Sequence, residues 1–267
     1  MRQISILGCG WLGLPLAKQL IENGYLVKGS TTSVDKLQSL KSTSIIPYKI
    51  ELSSEEIEGP IDAFLDKSEI LIIDIPPKLR GIEKNNFIAK IELLIPEIEK
   101  SSVSKVVFVS STSVYADSNE IVAEDSIALP ETESGRQLLA SESLLKNSIS
   151  FKTTVVRFGG LIGQSRHPIH FLAGRKNIES PAAPINLIHL EDCIGIITGI
   201  IEQDCWCETF NAVTPFHPSR KDYYTKKAVE MNLDLPEFST DSIINGKTIS
   251  SDKIQQVLRY TFKINPL

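Results

Sequence analysis

A short apolar run, Ile4-Ser5-Ile6-Leu7, leads straight into Gly8-Cys9-Gly10-Trp11-Leu12-Gly13 and then into an apolar helical pattern over residues 14–20. Few folds tolerate that order. Gly8 permits a tight turn, Gly10 lets a ligand approach the backbone, and Gly13 lets the helix pack closely on the strand. Pro15 suits a first helical turn, where a missing N–H costs nothing. The helix start then offers unpaired N–H groups and a positive dipole end, which together suit a diphosphate. The spacing predicts a bound dinucleotide held by Gly8, Gly10, Trp11, Leu12 and Gly13; a glycine turn that merely packs is the alternative.

Downstream, strand-like and helix-like segments alternate, the pattern of parallel βαβ units. Strands are expected at 25–29, 45–50, 69–74, 105–109 and 151–158. Helices are expected at 33–40 (capped by Ser33), at 81–100 with Pro96 kinking or breaking it, and at 131–146. Beyond residue 163 the pattern loosens around scattered prolines. A strand at 185–189, a helix at 193–201 capped by Asp192, a strand at 209–213 and helices at 219–231 and 251–258 are expected there. This reads as an α/β protein. Residues 1–163 form a doubly wound parallel sheet and 164–267 a small mixed C-terminal substrate lobe, with 185–212 returning to the sheet.

The bulk properties exclude several classes. A hydrophobic fraction of 42% in 267 residues is enough for a globular core. A net charge of −5 and no basic run argue against nucleic acid as a partner. Apolar stretches are strand-sized, so no membrane span is expected, and the chain enters a strand without a signal-peptide layout. Cys9, Cys193, Cys205 and Cys207 lack disulfide-scaffold spacing, which points to a reducing cytoplasm. Cys205, Cys207 and His217 fall short of the four ligands of a closed metal site, and no metal is expected.

In an open parallel sheet, ligands bind beyond the carboxyl ends of the strands. The second strand ends in Ser30-Thr31-Thr32, with Lys36 a helical turn on, where an NAD-selective site often has a carboxylate. Hydroxyls and an ammonium would accept a 2′-phosphate that a carboxylate would repel, so NADP is expected, with NAD the alternative. The same hydroxyls also suit helix capping. Ile75, Pro76 and Ser110, at the ends of later strands, complete the expected cofactor contacts.

The blocks "FVSSTSVYAD", "ESGRQLLASE", "VVRFGGLIG" and "NLIHLEDC", following the glycine motif in that order, resemble the NAD(P)-dependent epimerase/dehydratase group of extended short-chain dehydrogenases/reductases. The resemblance covers most of the chain, to about residue 212, and is nearest to the atypical, nucleoside-diphosphate-sugar epimerase-like members. It implies a Rossmann-like sheet, a nicotinamide cofactor, a small polar substrate such as a sugar nucleotide, and a homodimer through the helices at 81–100 and 131–146. Gly8 and Gly10 stand one residue closer than in the usual extended motif.

The group works with a Ser or Thr, a Tyr and a Lys. Ser111 matches the serine, but Ser134 and Leu138 stand where the tyrosine and lysine belong. A tyrosinate assisted by an ammonium can exchange a proton near neutrality; serine and leucine cannot. Tyr115 is the candidate substitute, with a packed aromatic as its plain reading, and Tyr223/Lys227 share only the spacing. Thr112, Arg136, Arg157 and His189 are candidate substrate contacts, the arginines through their planar donor forks; salt bridges or structural hydrogen bonds are the alternatives. Arg220 is a further candidate for the second lobe's side of the cleft. Two functions fit: an NADP(H)-dependent enzyme of this group, or a dinucleotide-binding protein that signals its occupancy to a partner without turnover.

Overall fold

A computed structural model of the chain describes residues 2–77, 86–163, 165–240 and 246–267. The first half runs β1 (Gln3–Leu7), α1 (Gly13–Glu22), β2 (Leu26–Thr31), α2 (Asp35–Lys41), β3 (Ile46–Lys49), β4 (Glu51–Leu52), β5 (Ile57–Glu58), α3 (Ile61–Leu65), β6 (Ile70–Ile73), α4 (Phe87–Lys100) and β7 (Lys105–Ser111). A 3₁₀ turn (Thr112–Val114), β8 (Ile121–Val122), α5 (Glu133–Asn147), β9 (Lys152–Phe158) and β10 (Gly160–Ile162) follow. The remainder comprises α6 (Ile169–Leu172), β11 (Leu187–His189), α7 (Leu190–Glu202), β12 (Thr209–Ala212), α8 (Arg220–Glu230), β13 (Thr248–Ile249) and α9 (Asp252–Val257).

Among the described residues, seven strands form one parallel sheet in the order β12-β9-β7-β6-β1-β2-β3. The chain winds outward from β1 in one direction, then returns beside β1 with β6 and winds outward in the other. The switch point therefore lies between β1 and β6. Every residue of β6 is buried, because helices cover both faces of the sheet. One face carries α1 and α7, whose Leu16, Leu20, Ile196 and Ile200 pack beneath Ile4 and Ile6. The other carries α3, α4 and α5, contributing Phe64, Ile91, Leu94 and Leu138. Complete burial of each such side chain contributes about 1.5–3 kcal/mol. A third cluster, with Ile169, Ile185, Leu187 and Tyr224, forms beside α6 and α8.

Several local expectations need correction. α4 passes through Pro96 unbroken, since the proline sits on the exposed side and its lost hydrogen bond faces water. Of the expected helix at 81–100, residues 81–85 lie outside the described residues. Asp192 does not cap α7. His189 does, its Nδ1 accepting from the Glu191 N–H at 3.3 Å, while buried Asp192 accepts from the Tyr260 hydroxyl and the Lys263 and Ile264 amides. A carboxylate with three donors can be buried at modest cost, and it anchors the C-terminal segment to α7. Ser33 does not cap α2; its own N–H donates to Thr31 Oγ1 at 3.2 Å. The β4–β5 hairpin and α3 carry too few residues for periodicity to reveal them. Among the described residues, no helix is long and apolar enough to cross a membrane.

Candidate functional site

The glycine turn leaves β1 at the switch point, the position at which such sheets bind ligands. Gly8 has φ +109°, and a Cβ there would lie 2.3 Å from the Asp74 carbonyl oxygen. A Cβ on Gly10 would meet nothing within 4 Å, so this stretch of backbone is open to an incoming group. The turn is held from β2, with Gly8 N–H donating to Ser30 Oγ at 2.9 Å and Cys9 N–H to the Ser30 carbonyl at 2.8 Å. No side chain of the N-cap residue, Leu12, closes the start of α1; Leu12 itself is buried in the core.

Pockets for small molecules and cofactors run from about 300 to 1,000 Å³; the cavity here has a volume of 630 Å³. It runs from Gly8, Cys9 and Gly10 past Asp74, Ile75 and Pro76 to Ser30, Thr31, Thr32 and Lys36. Expected contacts from three strand ends thus meet in one place. Among the lining residues unrecognised in the sequence are Lys90 from α4 and Glu51 from β4. Neither sits in a motif, and only the tertiary fold carries them there.

Asp74, at the end of β6, is another residue that sequence reading missed. Its side chain is enclosed by the turn; a Cβ on Gly13 would lie 3.2 Å from its Oδ2. Burial pushes its carboxyl up to about 7, against the opposing pull of the Gly13 N–H and of Arg166. Burial, reinforced by Asp74, also pushes the neighbouring Cys9 thiol up to about 12, so Cys9 is no nucleophile at neutral pH.

On the β7 side, the structure reassigns several expected site residues. Ser111, half-buried at the strand end, accepts from the Ser113 N–H at 3.1 Å and caps the 3₁₀ turn that buries Thr112. Ser110 does not reach toward the cofactor cavity but donates to Glu142 Oε1 at 2.6 Å. Arg157 is not available to a substrate: it pairs with buried Glu142 at 2.6 Å and donates to the Tyr115 hydroxyl. That hydroxyl in turn donates to Asn211 Oδ1 at 3.0 Å. Tyr115 is buried and its ionisation is pushed upward by desolvation, against the pull of Arg157, which is the wrong direction for a proton shuttle. Arg136 is exposed on α5, paired with Glu133 at 2.9 Å.

α5 packs so tightly on the turn after β7 that a Cβ on Gly135 would lie 2.2 Å from the Ser113 carbonyl oxygen. Ser134 and Leu138 flank that contact, and Leu138 is buried in the core. No ammonium takes the place that Leu138 fills. Tyr223 lies on α8 with its hydroxyl 3.0 Å from His167 Nε2; since His167 Nδ1 accepts from the Ile169 N–H, Nε2 is the donor. A separate cavity of 240 Å³ is lined by Arg220, Asn186, Asp117 and Lys247, whose Nζ lies 2.7 Å from the Tyr115 carbonyl oxygen. Arg220 thus lines this separate cavity rather than the one at the glycine turn, and its Nη1 donates to the Glu179 carbonyl at 3.0 Å.

Comparison with known proteins identifies the lineage. No family model matches the chain. Protein YeeZ of Escherichia coli K12 is 32% identical over 98% of this chain and 96% of its own length. The chain belongs to the YeeZ family. Its fold is that of the NAD(P)-dependent epimerase/dehydratase-like group. UDP-glucuronic acid 4-epimerase from Bacillus cereus, solved in complex with NAD, superposes with a TM-score of 0.79 at 16% identity, covering 98% of this chain and 92% of the epimerase. UDP-glucose 4-epimerase from Thermotoga maritima, solved with UDP-glucose, gives 0.78 at 17% identity, covering 98% and 94%.

Proposed function

We propose that this YeeZ-family protein binds a nicotinamide dinucleotide, NADP(H) in preference to NAD(H), and uses it on a small polar substrate such as a sugar nucleotide. The observation that carries this reading is the open Gly10 backbone before the start of α1, continuous with a cavity lined by Thr31, Thr32 and Lys36. The NAD held by the similar Bacillus cereus epimerase supports a nicotinamide dinucleotide in general, and the NADP(H) preference rests on Thr31, Thr32 and Lys36.

Gly8, Gly10 and the start of α1 would hold the diphosphate, and Thr32 with Lys36 the 2′-phosphate, while Ile75 and Pro76 wall the cavity. Such a cofactor supplies hydride transfer. Ser111 orients the reacting oxygen of the substrate through its hydroxyl. In the second cleft Arg220 offers a cationic donor to a substrate phosphate, while Lys247 is paired with Asp117 at 3.0 Å. With Ser134 and Leu138 in place of a Tyr and Lys, and Tyr115 locked by Arg157 and Asn211, water or the substrate itself carries the proton.

Those same residues favour a second reading, a dinucleotide-binding protein without turnover. Titration with NADPH and NADH, followed by absorbance assays with carbonyl compounds and UDP-sugars, separates the two. Oxidation of NADPH that Ser111→Ala abolishes supports the enzyme. Tight NADPH binding with no turnover on any substrate supports the binding protein. No binding of either cofactor overturns both.

A further inference from the structure

The glycine turn contains no cation, yet it adjoins the carboxyl of Asp74 and would receive a doubly charged diphosphate. Negative charge therefore accumulates at the switch point unless something offsets it. The cavity's lysines, Lys36 and Lys90, come from α2 and α4. The second lobe supplies a different group. After β10, Gly163 and Arg166 exchange both backbone hydrogen bonds, at 2.8 and 3.0 Å, which folds the chain sharply back toward the turn. This reversal sets the Arg166 guanidinium over the Trp11 indole, with its carbon 5.0 Å from the ring centroid. Gly163 makes the arrangement possible, since a Cβ there would lie 3.0 Å from the indole edge. Trp11 directly follows the second glycine, Gly10, so the stacked guanidinium stands at the mouth of the turn. It acts on Asp74 electrostatically, but among the described residues no carboxylate lies within ion-pair distance of it.

We propose that Arg166, held on Trp11 by cation–π stacking, is the counter-ion that the second lobe presents to the diphosphate of the bound dinucleotide. The proposal rests on the cofactor reading above and adds to it a binding residue outside the glycine motif. A guanidinium is suited to the task. It keeps its charge at any working pH, offers a planar fork matched to phosphate oxygens, and stacks on an aromatic face without losing its donors. The indole fixes the guanidinium before the ligand arrives, so less side-chain entropy is lost on binding. Arg166 is exposed, so its replacement leaves the core intact.

The test compares ligands with and without the diphosphate, using the full-length chain. Calorimetry is run with NADPH, NADH and ADP-ribose, and saturation-transfer NMR with adenosine, on wild type and on Arg166→Gln, Arg166→Lys and Trp11→Leu. Arg166→Gln should weaken all three diphosphate ligands about ten-fold or more, the loss of a charge-assisted hydrogen bond, and leave adenosine unchanged. Arg166→Lys should fall between, and Trp11→Leu should lose about two- to five-fold. Wild-type affinity of Arg166→Gln for NADPH and ADP-ribose would overturn the proposal while leaving the cofactor reading intact, as would a parallel loss of adenosine binding. Wild-type protein that binds none of the dinucleotides overturns the cofactor reading itself.

Discussion

The Asp74 carboxylate faces the Gly13 backbone amide across the switch point of the sheet, so the start of α1 meets an internal anion before any ligand arrives. This carboxyl rises from an ordinary value of 3.8 to about 7 chiefly through burial. Between those values the folded state holds the extra proton, so stability falls as pH rises through the window and the full penalty applies above it. Asp74→Asn should therefore raise the melting temperature at pH 8 and change it little near pH 4. Equal shifts at both pH values, measured by differential scanning fluorimetry, would contradict the assignment.

Cofactor choice is testable at the end of β2. Thr31 is buried and its hydroxyl accepts from the Ser33 N–H, whereas Thr32 is exposed beside Lys36 in the same cavity. Thr32→Asp should weaken NADPH by about ten-fold more than NADH, because a carboxylate then opposes the added phosphate. Equal losses in calorimetric titrations would remove Thr32 from the 2′ site.

The buried pair Arg157–Glu142 serves stability rather than ligand binding. Glu142→Gln leaves the Arg157 guanidinium buried without its counter-charge and should cost about 3–5 kcal/mol in urea unfolding. Arg136→Ala removes only an exposed pair with Glu133 and should change stability by less than about 1 kcal/mol. A mild Glu142→Gln variant would show that water reaches the network.

At the amino ends of the central strands β1, β6 and β7, Arg2 and Lys105 converge on Glu69 at 2.8 and 3.0 Å and hold its carboxyl down to about 2 from an ordinary 4.5, the Arg2 hydrogen bond contributing most. Its stabilising effect is present above 4.5 and is lost as pH falls toward 2. Glu69 is partly exposed, so Glu69→Gln should cost less than about 1 kcal/mol at pH 7 and nothing at pH 2. Acid-unfolding curves that stay parallel down to pH 2 would exclude this linkage.

Much of the scaffold was legible residue by residue. The all-apolar 70–73 segment announced a strand covered on both faces, and the 8–13 turn announced a site because each glycine has its own steric duty. The cavity-lining residues Thr32, Lys36, Ile75 and Pro76 could be found because strand ends are recognisable and the fold gathers them by rule. Polar side chains near the β7 end were harder. Ser110, Tyr115 and Arg157 carry ligand-binding chemistry in isolation, and nothing local reveals that Glu142 and Asn211 already occupy them.

From sequence alone, the seven strands of the main sheet, the glycine turn and the vacancy of the Tyr–Lys positions were determined, because periodicity, steric need and residue identity act within a few neighbours. Tertiary structure decided which charges are spent inside and which remain for a ligand. Arg157 meets Glu142 15 residues away, Tyr115 meets Asn211 96 residues away, and Arg166 comes to rest on Trp11 from the far lobe. Electrostatic and hydrogen-bonding partners are chosen by proximity in space, and proximity across such intervals exists only once the sheet has formed.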